Sequence, residues 1–165
     1  MMSFRLDFRR LFSAVGVSAL LLSSTPAMSA QRTAFTGLGG AWSGSGTVSL
    51  SDGSTERIRC RANYSVGGEG TTLKQTLRCA SDSYKFDLDS DVVSQGGGVS
   101  GTWSESSRNI NGSLRGRASG DRISVFVEAA GFSANLTLTT HGSRQSISIT
   151  SQGAIKNVSL ALVRG

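Results

Sequence analysis

Residues 56–80, ERIRCRANYSVGGEGTTLKQTLRCA, constrain this chain more than any other stretch, because two alternating arms flank a glycine-rich turn there. In the first arm Ile58, Cys60, Ala62, Tyr64 and Val66 share one parity, and Arg57, Arg59, Arg61 and Asn63 share the other. In the second, Leu73, Gln75, Leu77 and Cys79 alternate with Lys74, Thr76 and Arg78. Period-2 sorting of this kind belongs to half-buried strands. A single hairpin register sets Cys60 opposite Cys79, Ala62 opposite Leu77, Tyr64 opposite Gln75 and Val66 opposite Leu73, so apolar pairing and a disulfide agree. The only two cysteines of the chain are these. They lack C-x-x-C spacing and companion ligands, which argues against a metal or redox pair and for a structural bond formed in an oxidising compartment.

Such a compartment is what the N-terminus implies. Arg5, Arg9 and Arg10 precede an apolar run over residues 11–22 and a small-residue stretch ending Ala27-Met28-Ser29-Ala30. These are the three regions of a signal peptide, with cleavage expected after Ser29 or Ala30. The apolar run is shorter than the ~20 residues a membrane helix needs. No cysteine stands at a lipobox position, and the general secretory route is favoured over twin-arginine export. The reading is therefore a signal peptide over 1–30 and one domain over 31–165, periplasmic or secreted, with no transmembrane segment in the mature chain. Removing Arg5, Arg9, Arg10 and Asp7 from the 17 Lys+Arg and 11 Asp+Glu leaves 14 basic and 10 acidic residues.

The rest of the chain repeats the hairpin's grammar. Trp42, Gly44, Gly46, Val48 and Leu50 share a face. So do Tyr84, Phe86, Leu88 and Val92, with Asp87, Asp89 and Asp91 opposite; later strands place Val99, Gly101 and Trp103, then Ile110, Gly112, Leu114 and Gly116, on one side. About ten short strands result, separated by turn signals such as Asp52-Gly53 and His141-Gly142, and no long 3.6-period stripe interrupts them. Short connections predict an all-β antiparallel up-and-down meander, closed as a barrel, with a two-sheet sandwich as the alternative.

Gly40-Ala41-Trp42 resembles the Gly-x-Trp opening of calycin barrels, the lipocalins and fatty-acid-binding proteins, and Trp42-Ser43-Gly44-Ser45-Gly46 is similar to the Trp-x-Gly-x-Gly opening of nitrobindin-type barrels. The whole chain also resembles small exported β-barrel proteins of alphaproteobacteria. The first two likenesses imply a barrel with an interior site; the third implies export and no particular activity.

No catalytic or cofactor constellation accompanies the strands. His141, the only histidine, falls in a turn, where it serves neither as a haem ligand nor in a Ser-His-Asp triad, and no Gly-x-Ser-x-Gly elbow is present. Asp87, Asp89 and Asp91 resemble a calcium loop only until Val92 and Gly98 occupy the positions that require Gly and Glu. A cross-strand charge ladder with Lys74 and Arg78 is the expectation instead. Neither an enzyme nor a cofactor or metal is expected. Nucleic acid is not expected either, because the arginine row lacks interleaved aromatics.

Two functions remain. The domain is read as an exported binding module for a hydrophobic or amphipathic small ligand, its cavity lined by Trp42, Tyr64, Leu77, Tyr84, Phe86, Trp103, Leu114 and Leu136, with inward glycines either making room or marking tight strand coiling. Alternatively it is a structural or interaction protein of the cell envelope, contacting anionic lipid or cell-wall polymer through a basic face of Arg57, Arg59, Arg61, Lys74 and Arg78, or through an exposed Phe126.

Overall fold

The alternation in residues 56–80 becomes two antiparallel strands in the expected register: Cys60 faces Cys79, Ala62 faces Leu77, Tyr64 faces Gln75 and Val66 faces Leu73. The Cys60–Cys79 bond is formed, across Cα atoms 4.1 Å apart. A computed structural model describes residues 33–165; the expected signal peptide lies outside them.

Ten strands follow one another: β1 (Gly40–Leu50), β2 (Thr55–Gly67), β3 (Thr72–Ala80), β4 (Lys85–Gln95), β5 (Gly98–Glu105), β6 (Ile110–Ser119), β7 (Arg122–Ala129), β8 (Phe132–His141), β9 (Arg144–Ser151) and β10 (Ile155–Arg164). Each pairs antiparallel with the next, and β1 pairs with β10 from Trp42↔Arg164 to Val48↔Val158, so the sheet closes into a barrel. The sandwich alternative is thereby excluded. A single short 3₁₀ turn, Gly68–Gly70, joins β2 to β3.

The parity read from sequence decides what lies inside. Trp42, Val48, Ile58, Cys60, Val92, Val99, Val125, Leu138, Ile147, Leu160 and Leu162 are buried, while Val93 and Val163, on the other parity, stand 52% and 54% exposed. The inward glycines answer a different need from cavity space. A Cβ at Gly46 would collide with the Ser159 carbonyl oxygen and lie 2.8 Å from Leu160 Cα, and one at Gly112 would lie 2.6 Å from the Trp103 ring. None of Gly44, Gly46, Gly101, Gly112 and Gly116 borders the interior cavity described below. They let neighbouring strands press together where the barrel wall coils most tightly.

One end of the barrel is closed by residues that carry no ladder. Phe35 and Leu38, in the turn-rich lead-in before β1, are 1% and 3% exposed. Phe35 N donates to Gly70 O at 3.0 Å and Thr33 Oγ1 to Glu69 O at 2.7 Å, tying the lead-in to the β2–β3 turn. Trp42 Nε1 donates to Leu38 O at 2.8 Å, and the Arg164 guanidinium lies 4.6 Å over the Trp42 ring. Arg164 Nη2 also donates to Gly37 O. Its Nε, buried against the indole, is the one buried side-chain nitrogen or oxygen without a partner among the described residues.

Replacing both Cys60 and Cys79 by Ala frees a loop of about 20 residues in the unfolded chain and is expected to cost about 3 kcal/mol, roughly a 10 °C fall in Tm by calorimetry. An unchanged Tm would contradict a structural role for the bond. Gly46→Ala is expected to destabilise the barrel by about 1–3 kcal/mol in urea unfolding, since the obstacle is backbone and cannot swing aside.

Candidate functional site

Side chains at the inward positions do not fill the barrel. An interior cavity of about 400 Å³ runs from Phe35, at the closed end, to the turns that join β3 to β4, β5 to β6 and β9 to β10 at the other. Its walls are aliphatic and aromatic: Leu77, Leu88, Leu114, Val127, Leu136 and Ile149 at mid-height, Trp103 and Phe132 in edge-to-face contact at 6.0 Å, and the Cys60–Cys79 disulfide.

Of the eight residues expected to line a cavity, Leu77, Tyr84, Phe86, Trp103, Leu114 and Leu136 border this one. Trp42 and Tyr64 do not. Both point inward, but they stand at the closed end, in edge-to-face contact at 6.3 Å, as part of the floor packing. Tyr64 is committed there: its hydroxyl donates to Gln145 Oε1 at 2.8 Å, and Gln145 Nε2 donates to Thr140 Oγ1 at 3.2 Å. Burial pushes the Tyr64 phenol far above its ordinary pKa, only partly offset by the Gln145 bond, so it stays neutral. Parity places a residue inside but says nothing of its height along the barrel axis, and height separates floor from wall.

Away from the mouth, two polar side chains interrupt the apolar wall. Gln75 and Ser90 face each other across β3 and β4, with Ser90 Oγ 3.5 Å from Gln75 Oε1. The Gln75 amide nitrogen, in a residue bordering the cavity, has no hydrogen-bond partner among the described residues.

The mouth is built around Glu105, which sequence reasoning did not single out. It shares inward parity with Trp103 and is only 5% exposed. Its carboxylate accepts from Asp87 N at 3.0 Å, Ser107 N at 3.1 Å, Arg108 N at 2.9 Å and the Ser107 hydroxyl, so it caps the β5–β6 turn. Burial pushes its pKa up, but these hydrogen bonds together outweigh burial and hold it below the usual glutamate value. The turn presents Arg108 at the rim, 4.9 Å over the Phe86 ring and 3.6 Å from Glu105 Oε2. Phe86 in turn stacks on Tyr84 at 6.3 Å with planes 13° apart. A charged residue on the inward parity, two positions after a tryptophan and followed by Ser106-Ser107, was the available signal. Phe35 and Leu38 were also missed, though two apolar residues three apart in an otherwise small and polar lead-in mark a buried turn.

On the outer wall the expected basic face divides. Lys74 pairs with Asp91 at 3.4 Å, and Arg78 pairs with Asp87 at 3.2 Å and Asp89 at 3.3 Å, forming the expected charge ladder. Arg57, Arg59 and Arg61 are exposed and have no ion-pair partner among the described residues. Phe126, expected to be exposed, is half-buried beneath Arg115, whose guanidinium lies 5.2 Å over its ring. His141 sits on the surface, 2.9 Å from Asp121, and borders no part of the cavity.

No protein-family model matches the sequence, and no curated protein does. Among solved structures, the chain is similar to the crystal structure of Rv2717c from M. tuberculosis, with a TM-score of 0.64 and 15% identity over 79% of this chain and 94% of that one. At that identity the likeness is one of barrel fold.

The Glu105 carboxylate gives the mouth a measurable pH signature. With a folded pKa below the ordinary 4.5, its contribution is complete above that value and is lost as pH falls through the lower folded pKa. Glu105→Gln is therefore expected to be about 1–3 kcal/mol less stable than the native chain near pH 7, with the gap closing in urea titrations as pH falls below the ordinary glutamate value. A gap that is constant with pH would rule out the ionised carboxylate as its cause.

Proposed function

We propose that this domain is an exported binding module, periplasmic or secreted, that takes a hydrophobic or amphipathic small molecule into its barrel. The observation that carries the reading is the apolar cavity of about 400 Å³, inside the size range of small-molecule sites and bordered by few polar groups. An apolar body would displace weakly held water from the walls at Leu77, Leu114 and Leu136. A polar end has two places to go: the Gln75–Ser90 pair within, or the Arg108 guanidinium at the rim, where an acceptor would gain a charge-assisted hydrogen bond.

The charge distribution on the outer wall favours a second, compatible role: contact with an anionic component of the cell envelope.

Titrating the oxidised domain with 1-anilinonaphthalene-8-sulfonate is expected to give saturable dye fluorescence and a matching change in emission from Trp103. Leu136→Trp, which fills the middle of the cavity, is expected to weaken dye binding at least tenfold while leaving the far-UV spectrum unchanged. Absence of any saturable response in the native domain would reject the cavity reading.

A further inference from the structure

The outer wall of a small barrel usually mixes charges of both signs, and the side of this barrel running from β3 to β7 does so, with Asp87, Asp89, Asp91 and Glu128 among its cations. The side running from β9 through β10 and β1 to β2 does not. Its outward positions carry serine, threonine, asparagine, alanine, valine and arginine, and no acid. The carboxylate next to the arginines in sequence, Glu56 on β2, has the other parity and accepts from the Ser81 hydroxyl and Ser83 N in the turn between β3 and β4.

Arg57, Arg59 and Arg61 run along β2 at the edge of this area. Alternate residues on a strand are about 7 Å apart, so the three guanidinium groups form a straight column on one face. Beside them the wall is low and rich in hydroxyls. Arg57 is level with Thr47 and Ser159, Arg59 with Ser45 and Ala161. No carboxylate among the described residues pairs with any of the three, whereas Lys74 and Arg115 elsewhere on the barrel each hold one and Arg78 holds two. The column is backed by the Cys60–Cys79 bond, whose residues alternate with the arginines on β2, so the guanidinium groups ride on one of the most firmly anchored strands.

We infer that this wall binds a linear acidic polysaccharide. The inference deepens the second reading above by naming its partner. The geometry favours a chain over the two other polyanions. A bilayer would meet a convex wall along one line and would find no aromatic side chain there to insert. A nucleic acid would find no ring on which to stack. A glycan chain lying along β2 meets one cation every ~7 Å for its acidic groups and, on the flanking β1 and β10, small hydroxyl side chains that admit close approach and hydrogen-bond to sugar hydroxyls. Arginine suits the task because its planar fork takes a carboxylate through two parallel hydrogen bonds.

The test uses the full oxidised domain, with polygalacturonate as the acidic chain, dextran as the neutral one, and phosphatidylglycerol/phosphatidylcholine vesicles as the lipid surface. Binding to polygalacturonate is expected, weakening steeply with added salt, with none to dextran. The triple variant Arg57→Gln/Arg59→Gln/Arg61→Gln is expected to lose at least tenfold in affinity, and the equally discharged Arg115→Gln/Arg117→Gln/Arg122→Gln less than threefold. Arg59→Glu alone, as a milder check on folding, is expected to lose at least fivefold. Equal losses in the two triple variants would overturn the inference in favour of net charge, and unchanged affinity in the β2 triple would overturn it outright. Binding to vesicles but not to polygalacturonate would overturn it while leaving the envelope reading intact; binding to neither would remove both.

Discussion

The ladder between β1 and β10 is the interaction on which the other features depend. A ten-strand meander left open has two edge strands, each with a row of unpaired backbone groups, and neither β1 nor β10 has a proline to blunt it. Pairing Trp42 through Val48 with Arg164 through Val158 removes both edges at once. It also turns an alternating pattern into an inside and an outside. Once the sheet is a ring, the inward parity of every strand meets at one axis, and the volume there is set by ring size rather than by how many side chains are available. The glycines at Gly44 and Gly46 belong to the same constraint, since β1 approaches β10 so closely that even a methyl group would strike its backbone.

Inside, the polar groups are few and nearly all are satisfied. Glu105 is surrounded by donors from the turn it caps, and Tyr64 and Gln145 satisfy each other in the floor. The penalty for an unpaired buried polar group explains why these residues sit at the two ends, where turns supply backbone partners, while the mid-height wall is almost wholly apolar. Outside, energetics are weaker and position matters more. The ion pairs of β3 and β4 are exposed and each contributes at most about 1 kcal/mol. Their main consequence is spatial, because they neutralise Lys74 and Arg78 and leave the β2 arginines as a separate column.

The fold was legible in residues 56–80 to the level of individual pairs, because a period of two, a fixed turn and two cysteines over-determine one register. Closure was an expectation from strand number and short connections, and the β1–β10 pairing realises it. The site was legible in part. Leu77, Tyr84, Phe86, Trp103, Leu114 and Leu136 were placed by parity alone, and parity holds at any height. Trp42 and Tyr64 obey the same parity yet belong to the floor, because depth depends on barrel tilt and on which turns fold inward. Phe35 and Leu38 carry no strand pattern at all; their burial goes with hydrogen bonds to Gly70, distant in sequence, and to Trp42, whose ring Leu38 meets only once the lead-in has turned. Glu105 was hidden for a related reason: a buried charge is recognisable only once the turn that satisfies it is in place.

The Cys60–Cys79 bond lies on the inward parity and its residues border the cavity, so the wall itself screens the sulfurs from outside. A reducing thiol therefore has to travel through the interior to reach them. Whatever occupies that space stands in the way. The covalent staple and the interior cavity are in this sense one compartment: an occupant would keep the disulfide out of reach, and an empty barrel leaves it open to chemistry that the folded surface excludes.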